Sequence, residues 1–386
     1  MRKKVLFSIN TFLVGGIEKA LIELLKNDEL KKYDLTLLIG YNLGDIQKLK
    51  NQIPEHVEIK YILEDEIYTK AKRKKALGTL SKVEKILDES ISWLKKITFK
   101  KRLLQIIKNY DVLIDYDMTL ASYAKEISIK KIAYCHFSLK HYNRGIKSRQ
   151  DKLGKRLSYY DKVVVISEDM KKEAEMVFPY LKNKLVKIYN SFNLDEIERK
   201  SQICLDEEKV YLEDKYILAV GRLEETQKDF TSLLSAYSLI HEKIDEKLYI
   251  IGDGRHKEQL EKHADNLKIK NKVIFLGFKN NPYVWMRNSS LFVHSSKFEG
   301  LPTVLIEALI LGVPIVATDC PTGPREILED GQNGVLTKVG DVKALAEGIE
   351  KIILNKDIKK QYLLKSKESV KRFDGKVVIK QLEDLF

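Results

Sequence analysis

The fold is decided by residues 291–318, which read LFVHSSKFEGLPTVLIEALILGVPIVAT. The first three residues of this stretch are apolar and predict a short buried strand. After a loop, Pro302 and Thr303 supply a helix start, and Gly312 supplies a helix end. The last five residues are again β-rich, so the stretch predicts a strand, a helix and a strand, which is the βαβ unit of a parallel sheet.

The same alternation runs along the chain and breaks once, at a polar stretch over residues 190–208. Helical patterns separate the strands, for example at residues 17–26 and 168–177. The predicted strands lie at residues 5–9, 35–39, 57–62, 112–114, 131–134, 163–166, 186–188, 216–220, 248–251, 273–276, 291–293 and 314–318. This order predicts an α/β fold of two Rossmann-like, doubly wound parallel-sheet domains that face each other across a cleft.

The polar stretch places the domain boundaries. We predict an N-terminal domain over residues 1–195 and a C-terminal domain over residues 196–368. Residues 369–386 have a helical pattern, and we expect this last helix to pack back on the N-terminal domain.

Composition excludes several classes of protein. The chain has 386 residues, 44% of them hydrophobic, and its three cysteines show no C-x-x-C spacing, so disorder, a disulfide scaffold and a zinc ribbon are excluded. The apolar run at residues 5–9 is too short for the core of a secretory signal, and no stretch is long enough to span a membrane. We therefore expect a cytoplasmic protein.

The charge is positive and uneven. The net charge is +13, and residues 60–102 carry 13 Lys and Arg against 6 Asp and Glu, with apolar residues interleaved. A second basic stretch covers residues 140–156. Both patterns are typical of amphipathic helices that lie on an anionic bilayer, and equally of solvated helix faces.

Two glutamates, Glu299 and Glu307, are eight residues apart around the predicted helix start. The free N–H groups at Thr303, Val304 and Leu305 can hold a diphosphate with help from the helix dipole. Glu299 can accept bonds from sugar hydroxyls, and Glu307 can accept both hydroxyls of a ribose. Two ordinary surface carboxylates would give the same spacing.

Cationic and glycine residues follow other predicted strands. Arg222 and Lys228 come after the strand at 216–220 and can neutralise a diphosphate leaving group. Gly15 and Gly16 precede a helix, where positive φ angles would let the backbone approach a phosphate. Neither this pair nor the Gly252-Asp-Gly254 turn completes a known phosphate-binding motif.

Two histidines end predicted strands. His136 can bond a sugar hydroxyl near a reacting carbon, and His294, with Ser295 and Ser296, can bond a nucleotide; packing roles are equally consistent. The Asp115-Tyr-Asp117 spacing is typical of a metal site in a different, single-domain architecture. We therefore predict no metal site there.

Taken together, these residues resemble the family-4 glycosyltransferases, retaining enzymes of GT-B architecture. The similarity covers nearly the whole chain and is most specific over residues 298–334. It implies that Arg222 and Lys228 bind the donor diphosphate, that Glu299 and Glu307 hold the donor sugar and ribose, and that His136 lies beside the sugar. The glycines at 15 and 16 also fit the family, whereas Tyr189-Asn-Ser191 lacks the proline that often follows the asparagine.

The resemblance implies transfer of a hexose or N-acetylhexosamine from a UDP-sugar to a lipid-linked saccharide, with retention and without a metal or other cofactor. The N-terminal domain would bind the acceptor, and domain closure would bring it to the donor. Residues 317–328 resemble the branch that builds bacterial surface polysaccharides, which favours galactose or N-acetylgalactosamine. The expected location is the inner face of the bacterial cell membrane, in peripheral contact with anionic lipid.

Two other functions remain open from the sequence. A UDP-N-acetylglucosamine epimerase would share the architecture and the nucleotide but would need no acceptor. A nucleic-acid-binding protein would explain the charge of +13, but the chain shows no nucleic-acid-binding motif, so we expect no nucleic-acid partner.

Overall fold

The computed structural model of the protein describes residues 2–140 and 142–386, apart from the side chains at positions 143, 144 and 356. The strands are β1 (Lys4–Ile9), β2 (Asp34–Tyr41), β3 (Val57–Leu63), β4 (Val112–Asp115), β5 (Lys130–Cys135), β6 (Lys162–Val165), β7 (Leu185–Lys187), β8 (Tyr216–Val220), β9 (Lys247–Ile251), β10 (Val273–Gly277), β11 (Leu291–His294), β12 (Ile315–Thr318) and β13 (Val335–Thr337). The α-helices are α1 (Gly16–Leu25), α2 (Glu66–Ala76), α3 (Lys82–Ser90), α4 (Ser92–Ile107), α5 (Lys147–Leu157), α6 (Glu168–Val177), α7 (Leu194–Lys200), α8 (Lys209–Leu212), α9 (Phe230–Ser238), α10 (Lys257–Asn266), α11 (Tyr283–Asn288), α12 (Thr303–Ile310), α13 (Pro324–Ile327), α14 (Val342–Leu354), α15 (Lys356–Ser369) and α16 (Gly375–Glu383).

The chain forms two compact units. Residues up to 192 group with residues 375–386, and residues 193–374 form the second unit. We call these the N-terminal and C-terminal domains. The sequence-based boundaries at 195 and 368 lie near these points.

The N-terminal domain contains a seven-stranded parallel sheet in the order β3-β2-β1-β4-β5-β6-β7. The central strands are buried on both faces, which explains why their sequences are continuously apolar rather than alternating. The strand order reverses between β1 and β4, so the loops after these two strands diverge at the carboxyl edge of the sheet.

Helix α16 belongs to the N-terminal domain although it ends the chain. Its first residue, Gly375, donates from its backbone N–H to the Phe192 carbonyl at 2.9 Å. Glu383 pairs with Lys32 at 2.7 Å, and the Phe386 ring packs edge-on against Tyr33.

The C-terminal domain contains a six-stranded parallel sheet in the order β10-β9-β8-β11-β12-β13. The strand order reverses between β8 and β11. Because these are adjacent parallel strands, the two loops that follow them start side by side at the carboxyl edge of the sheet. The sequence analysis missed β13, a strand of three residues.

Within the described part of the chain, no helix has both the length and the apolarity to cross a membrane.

Candidate functional site

The loops after β8 and β11 are joined at the carboxyl edge of the C-terminal sheet. Lys228 and Ser296 form an antiparallel bridge. The bridge is flanked by backbone bonds from Asp229 N–H to the Ser295 carbonyl at 2.9 Å and from Lys297 N–H to the Gln227 carbonyl at 2.8 Å. These bonds bring together side chains that are about seventy residues apart in the sequence.

Glu299 lies at the centre of this junction, and its side chain is only 8% exposed. Its Oε1 accepts from the Lys228 ammonium and, at 2.6 Å, from the Ser296 hydroxyl. The Nε2 atom of His294 lies 3.2 Å from the same oxygen. Gln227 Nε2 donates to Oε2 at 3.2 Å. The carboxylate is therefore held by polar groups on nearly every side.

These neighbours keep Glu299 ionised. Burial alone would raise the pKa of its carboxyl, but the hydrogen bond from His294 and the charge of Lys228 together lower the pKa to about 2. Burial lowers the pKa of His294, so this imidazole is neutral at pH 7. The cluster around Glu299 therefore contains one cation, the Lys228 ammonium, beside one anion, the Glu299 carboxylate.

The start of α12 is braced from the loop after β12. The Thr322 hydroxyl donates to the Gly300 carbonyl at 2.7 Å and to the Glu299 carbonyl at 3.0 Å. Glu299 N–H in turn donates to the Pro321 carbonyl at 2.6 Å. The sequence 317–328, singled out above, thus positions the loop that carries Glu299.

The start of α12 corrects the expectation that the N–H groups of Thr303, Val304 and Leu305 are all free to bind a diphosphate. The Leu305 N–H already donates to the Pro302 carbonyl at 3.1 Å, so it is not available for a ligand. The N–H groups of Thr303 and Val304 donate to no acceptor in the described part of the chain. Glu307 lies one turn further along α12 and is half-buried.

Arg222 lies in the same loop as Lys228 but is not brought into the Glu299 cluster. Its side chain is exposed. A Cβ added to the preceding residue, Gly221, would lie 3.8 Å from the Lys228 side chain, which is an ordinary van der Waals distance. The structure thus places both predicted cations beside one strand end and pairs only Lys228 with Glu299.

Two glycines that the sequence analysis treated as a plain turn have a strict packing role. Gly252, after β9, has φ +144°, and a Cβ there would lie 1.9 Å from the Gly221 carbonyl oxygen. A Cβ on Gly254 would lie 2.4 Å from the Leu223 carbonyl oxygen. The loop after β9 therefore supports the backbone of the cation-bearing loop at a distance that only glycine permits.

The N-terminal domain holds the other predicted site residues. His136 lies beyond the end of β5, and its ring packs against Tyr116 and Tyr134, with centroids 4.5 and 5.3 Å away. Burial lowers the pKa of this imidazole to about 3, so it is neutral at pH 7. Its Nε2 atom is buried and has no partner among the described groups, which leaves one unsatisfied polar atom in the position predicted for a sugar contact.

Gly15 and Gly16 do not adopt the predicted positive φ. Gly15 caps α1 with φ −159°, and Gly16 is the first residue of the helix. An added Cβ on Gly15 would meet the Glu18 carboxylate at 2.4 Å, whereas one on Gly16 would have no atom within 4 Å. The pair therefore opens the helix start without requiring a left-handed backbone.

Asp115 is fully buried at the end of β4. Its carboxyl accepts from the Tyr160 hydroxyl, from the Leu120 N–H at 3.0 Å and from the Ser8 hydroxyl at 3.3 Å. Burial and the nearby charge of Asp117 raise the pKa of Asp115 to about 8. In the described residues, no group of three or more His, Cys, Asp or Glu side chains is placed to hold a metal ion.

The buried Asp115 predicts an unusual pH dependence. Unfolding lowers the pKa of this carboxyl from about 8 to near 4, so the folded state binds the extra proton between these values. Stability contributed by this group should therefore fall as pH rises from about 4 to 8, by about 2 kcal/mol or more. Asp115→Asn should flatten the profile and be at least as stable as the parent at pH 8.

Scanning calorimetry of the full chain between pH 5 and pH 9 tests this expectation. Asp45→Asn, at an exposed carboxylate in the same domain, is the matched control and should keep the parent profile. A profile for Asp115→Asn that is parallel to the parent's over this range would contradict it.

Comparisons with known proteins bear on the family and the fold of the chain. A family model described as "Glycosyl transferases group 1" matches residues 204–369. An uncharacterized glycosyltransferase of Haemophilus influenzae is 30% identical over 277 residues, which cover 69% of this chain and 74% of that protein.

A second relative is the N-acetylgalactosamine-N,N'-diacetylbacillosaminyl-diphospho-undecaprenol 4-alpha-N-acetylgalactosaminyltransferase of Campylobacter jejuni. It is 36% identical over 187 residues, which cover 48% of this chain and 49% of that protein. The match thus spans about half the length of this relative.

The solved structure of Anabaena Alr3699/HepE in complex with UDP and glucose superposes with a TM-score of 0.75 and 19% identity, covering 99% of both chains. At this identity the likeness shows the fold alone. It confirms the predicted α/β fold class, with two Rossmann-like parallel-sheet domains of the GT-B type.

Proposed function

Because the chain belongs to the group 1 glycosyltransferase family, we propose that it transfers a hexose or N-acetylhexosamine from a UDP-sugar to a lipid-linked saccharide. The observation that carries this proposal is the junction of Lys228 and Glu299 at the carboxyl edge of the C-terminal sheet. In this junction Lys228, which would bind a diphosphate, lies beside Glu299, which would accept from a sugar hydroxyl.

The Campylobacter relative supports the finer parts of the proposal. Its name describes transfer of N-acetylgalactosamine to a sugar carried by undecaprenol diphosphate. We therefore favour galactose or N-acetylgalactosamine as the donor sugar and a polyprenyl-diphosphate-linked glycan as the acceptor, in the assembly of bacterial surface polysaccharide or glycan.

The residues of the C-terminal domain suit departure of UDP. Lys228 and Arg222 would balance the charge that develops on the diphosphate, and the free N–H groups of Thr303 and Val304 would bind its oxygens. Glu307 would bind the ribose. We expect turnover without a divalent metal, because these groups already supply the positive field.

Glu299 would have two tasks. Its Oε1 accepts a hydrogen bond from the Lys228 ammonium and would hold it in place. Its Oε2 accepts a hydrogen bond from Gln227 and would use a remaining lone pair to accept from a sugar hydroxyl. His136, with its unsatisfied Nε2, would bond a sugar hydroxyl.

The proposed reaction keeps the anomeric configuration. The acceptor hydroxyl would attack from the face that the diphosphate leaves, the bond from the anomeric carbon to the diphosphate oxygen would break, and a phosphate oxygen would take the acceptor proton. The described residues offer no convincing protein nucleophile for a double displacement.

The acceptor also defines the proposed place of action. A glycan on a polyprenyl carrier is presented at a membrane surface, so we propose that the protein works at the inner face of the bacterial cell membrane. The net charge of +13 favours peripheral contact with anionic lipid there.

A thermal-shift panel of UDP-, GDP- and ADP-sugars tests the donor half of the proposal. We expect UDP-sugars to raise the melting temperature, and UDP-galactose or UDP-N-acetylgalactosamine to raise it most, because a ligand stabilises the state that binds it. Lys228→Ala and Glu307→Ala should each weaken binding by about tenfold or more.

Lys343→Ala is the matched control, because Lys343 is an exposed lysine of the same domain. It should keep the parent response. Equal responses to all three nucleotides, or unchanged responses in the Lys228 and Glu307 variants, would count against the proposed donor site.

A further inference from the structure

Helix α3 has no buried side chain. Its apolar residues Val83, Ile86 and Leu87 are between 60 and 67% exposed. Their spacing of three and four residues places them on one face of the helix. The chain thus presents a continuous apolar helix face to its surroundings.

The first turns of α4, which follow α3 directly in the chain, also carry exposed apolar residues. Trp93 is 71% exposed, Leu94 is 45% exposed and Ile97 is 43% exposed. Further along α4, Phe99 and Leu103 are buried in the core of the N-terminal domain. The helix is therefore fixed at its second half, and its first half carries large apolar groups on the surface.

Two acidic residues of α3 form ion pairs with lysines of the neighbouring helices. Glu84 of α3 pairs with Lys74 of α2, and the hydrogen bond from Lys74 lowers the pKa of this carboxyl to about 2. Asp88 of α3 pairs with Lys95 of α4. These pairs hold α3 between its neighbours and neutralise two of its three acids.

The lysines outnumber these acids and remain at the surface. Five exposed lysines of this region take part in no ion pair among the described residues: Lys70, Lys75, Lys82, Lys96 and Lys101. Exposed apolar residues on helices that also carry unpaired lysines match an anionic bilayer, which offers an apolar interior beneath negative headgroups.

We propose that α3 and the first turns of α4 dock on an anionic bilayer, with Ile86, Leu87 and Trp93 inserted at the level of the headgroups. This proposal rests on the membrane contact proposed above and assigns that contact to one surface.

The second basic stretch, residues 140–156, exposes little apolar surface in its described side chains. In α5 and the residue before it, the only large apolar side chain that the structure shows as exposed is Ile146. We therefore assign insertion to the α3–α4 surface and not to α5.

Tryptophan fluorescence can test the docking directly, because the chain has two tryptophans in opposite environments. Trp93 is exposed, whereas Trp285 is fully buried in the C-terminal domain. Vesicles containing phosphatidylglycerol should shift the emission to shorter wavelength, and pure phosphatidylcholine vesicles should not. Trp93→Phe should abolish the shift, since Trp285 remains buried.

Vesicle flotation of the full chain is a second test of the docking. The Ile86→Ser/Leu87→Ser variant should bind phosphatidylglycerol vesicles about tenfold or more weakly. The matched control is Leu239→Ser/Leu364→Ser, which changes two exposed leucines of the C-terminal domain and should bind as the parent does.

Three results would overturn the proposal: no emission shift with anionic vesicles, equal flotation of the Ile86/Leu87 variant, or a dimeric parent that does not bind vesicles and becomes monomeric in that variant. The last result would mean that a second copy covers the face. The thermal response to UDP-sugars separates the two proposals, because it should persist in every one of these variants even if docking fails.

Discussion

Replacing Gly252 with alanine is expected to destabilise the C-terminal domain by about 3 kcal/mol or more. The new Cβ would lie 1.9 Å from the Gly221 carbonyl oxygen, and both groups belong to backbone that cannot rotate away. The φ of +144° adds strain for any residue with a side chain. The displaced segment carries Arg222 and Lys228, so we also expect loss of UDP-sugar binding.

Denaturant unfolding in a Trp93→Phe background measures this effect, because Trp285 then reports on the C-terminal domain alone. Lys343→Ala is the control, since Lys343 is an exposed residue of the same domain. A Gly252→Ala midpoint within error of the parent value would show that the loops do not pack as described.

Breaking the ion pair between Lys228 and Glu299 should have an effect of similar size. Glu299→Gln should lower the free energy of unfolding by about 3 kcal/mol, because it leaves the largely buried Lys228 ammonium without a counter-charge. The double variant with Lys228→Met should lose less than the sum of the single losses, since neither charge then remains unpaired.

The pH dependence gives this prediction a second readout. The folded-state pKa of Glu299 is about 2, below its value near 4.5 in the unfolded chain, so its contribution is present above about pH 4.5 and is lost as pH falls toward 2. This loss should be absent in Glu299→Gln. Additive losses in the double-variant cycle, or an acid limb unchanged in Glu299→Gln, would contradict the ion-pair account.

The parallel sheets could be predicted from the sequence because buried strands are continuously apolar. The prediction for β8 matches its observed bounds, and the βαβ unit around α12 is where the sequence placed it. The sequence analysis did not predict β13, which has three residues. The sequence likewise indicated basic, apolar-rich helices near α3, but it could not tell which residues would remain uncovered, because burial depends on packing between elements.

The candidate site could be predicted by residue type and only partly by arrangement. Lys228 and Glu299 were both singled out, but their contact depends on the bridge between two distant loops. The sequence left His294 and Ser296 open between a nucleotide contact and a packing role, and in the structure they lie against Glu299. The packing role of Gly252 could not be predicted, because glycine in a turn gives no signal for how closely another backbone approaches.

Product analysis with a UDP-sugar and an undecaprenyl-diphosphate-linked saccharide tests the central claim most directly. The account predicts that the saccharide gains one hexose or N-acetylhexosamine, that one UDP is released for each transfer, and that the donor's anomeric configuration is kept. Lys228→Ala should lower the rate by about a hundredfold. An epimerised UDP-sugar formed without any change in the acceptor would contradict the account.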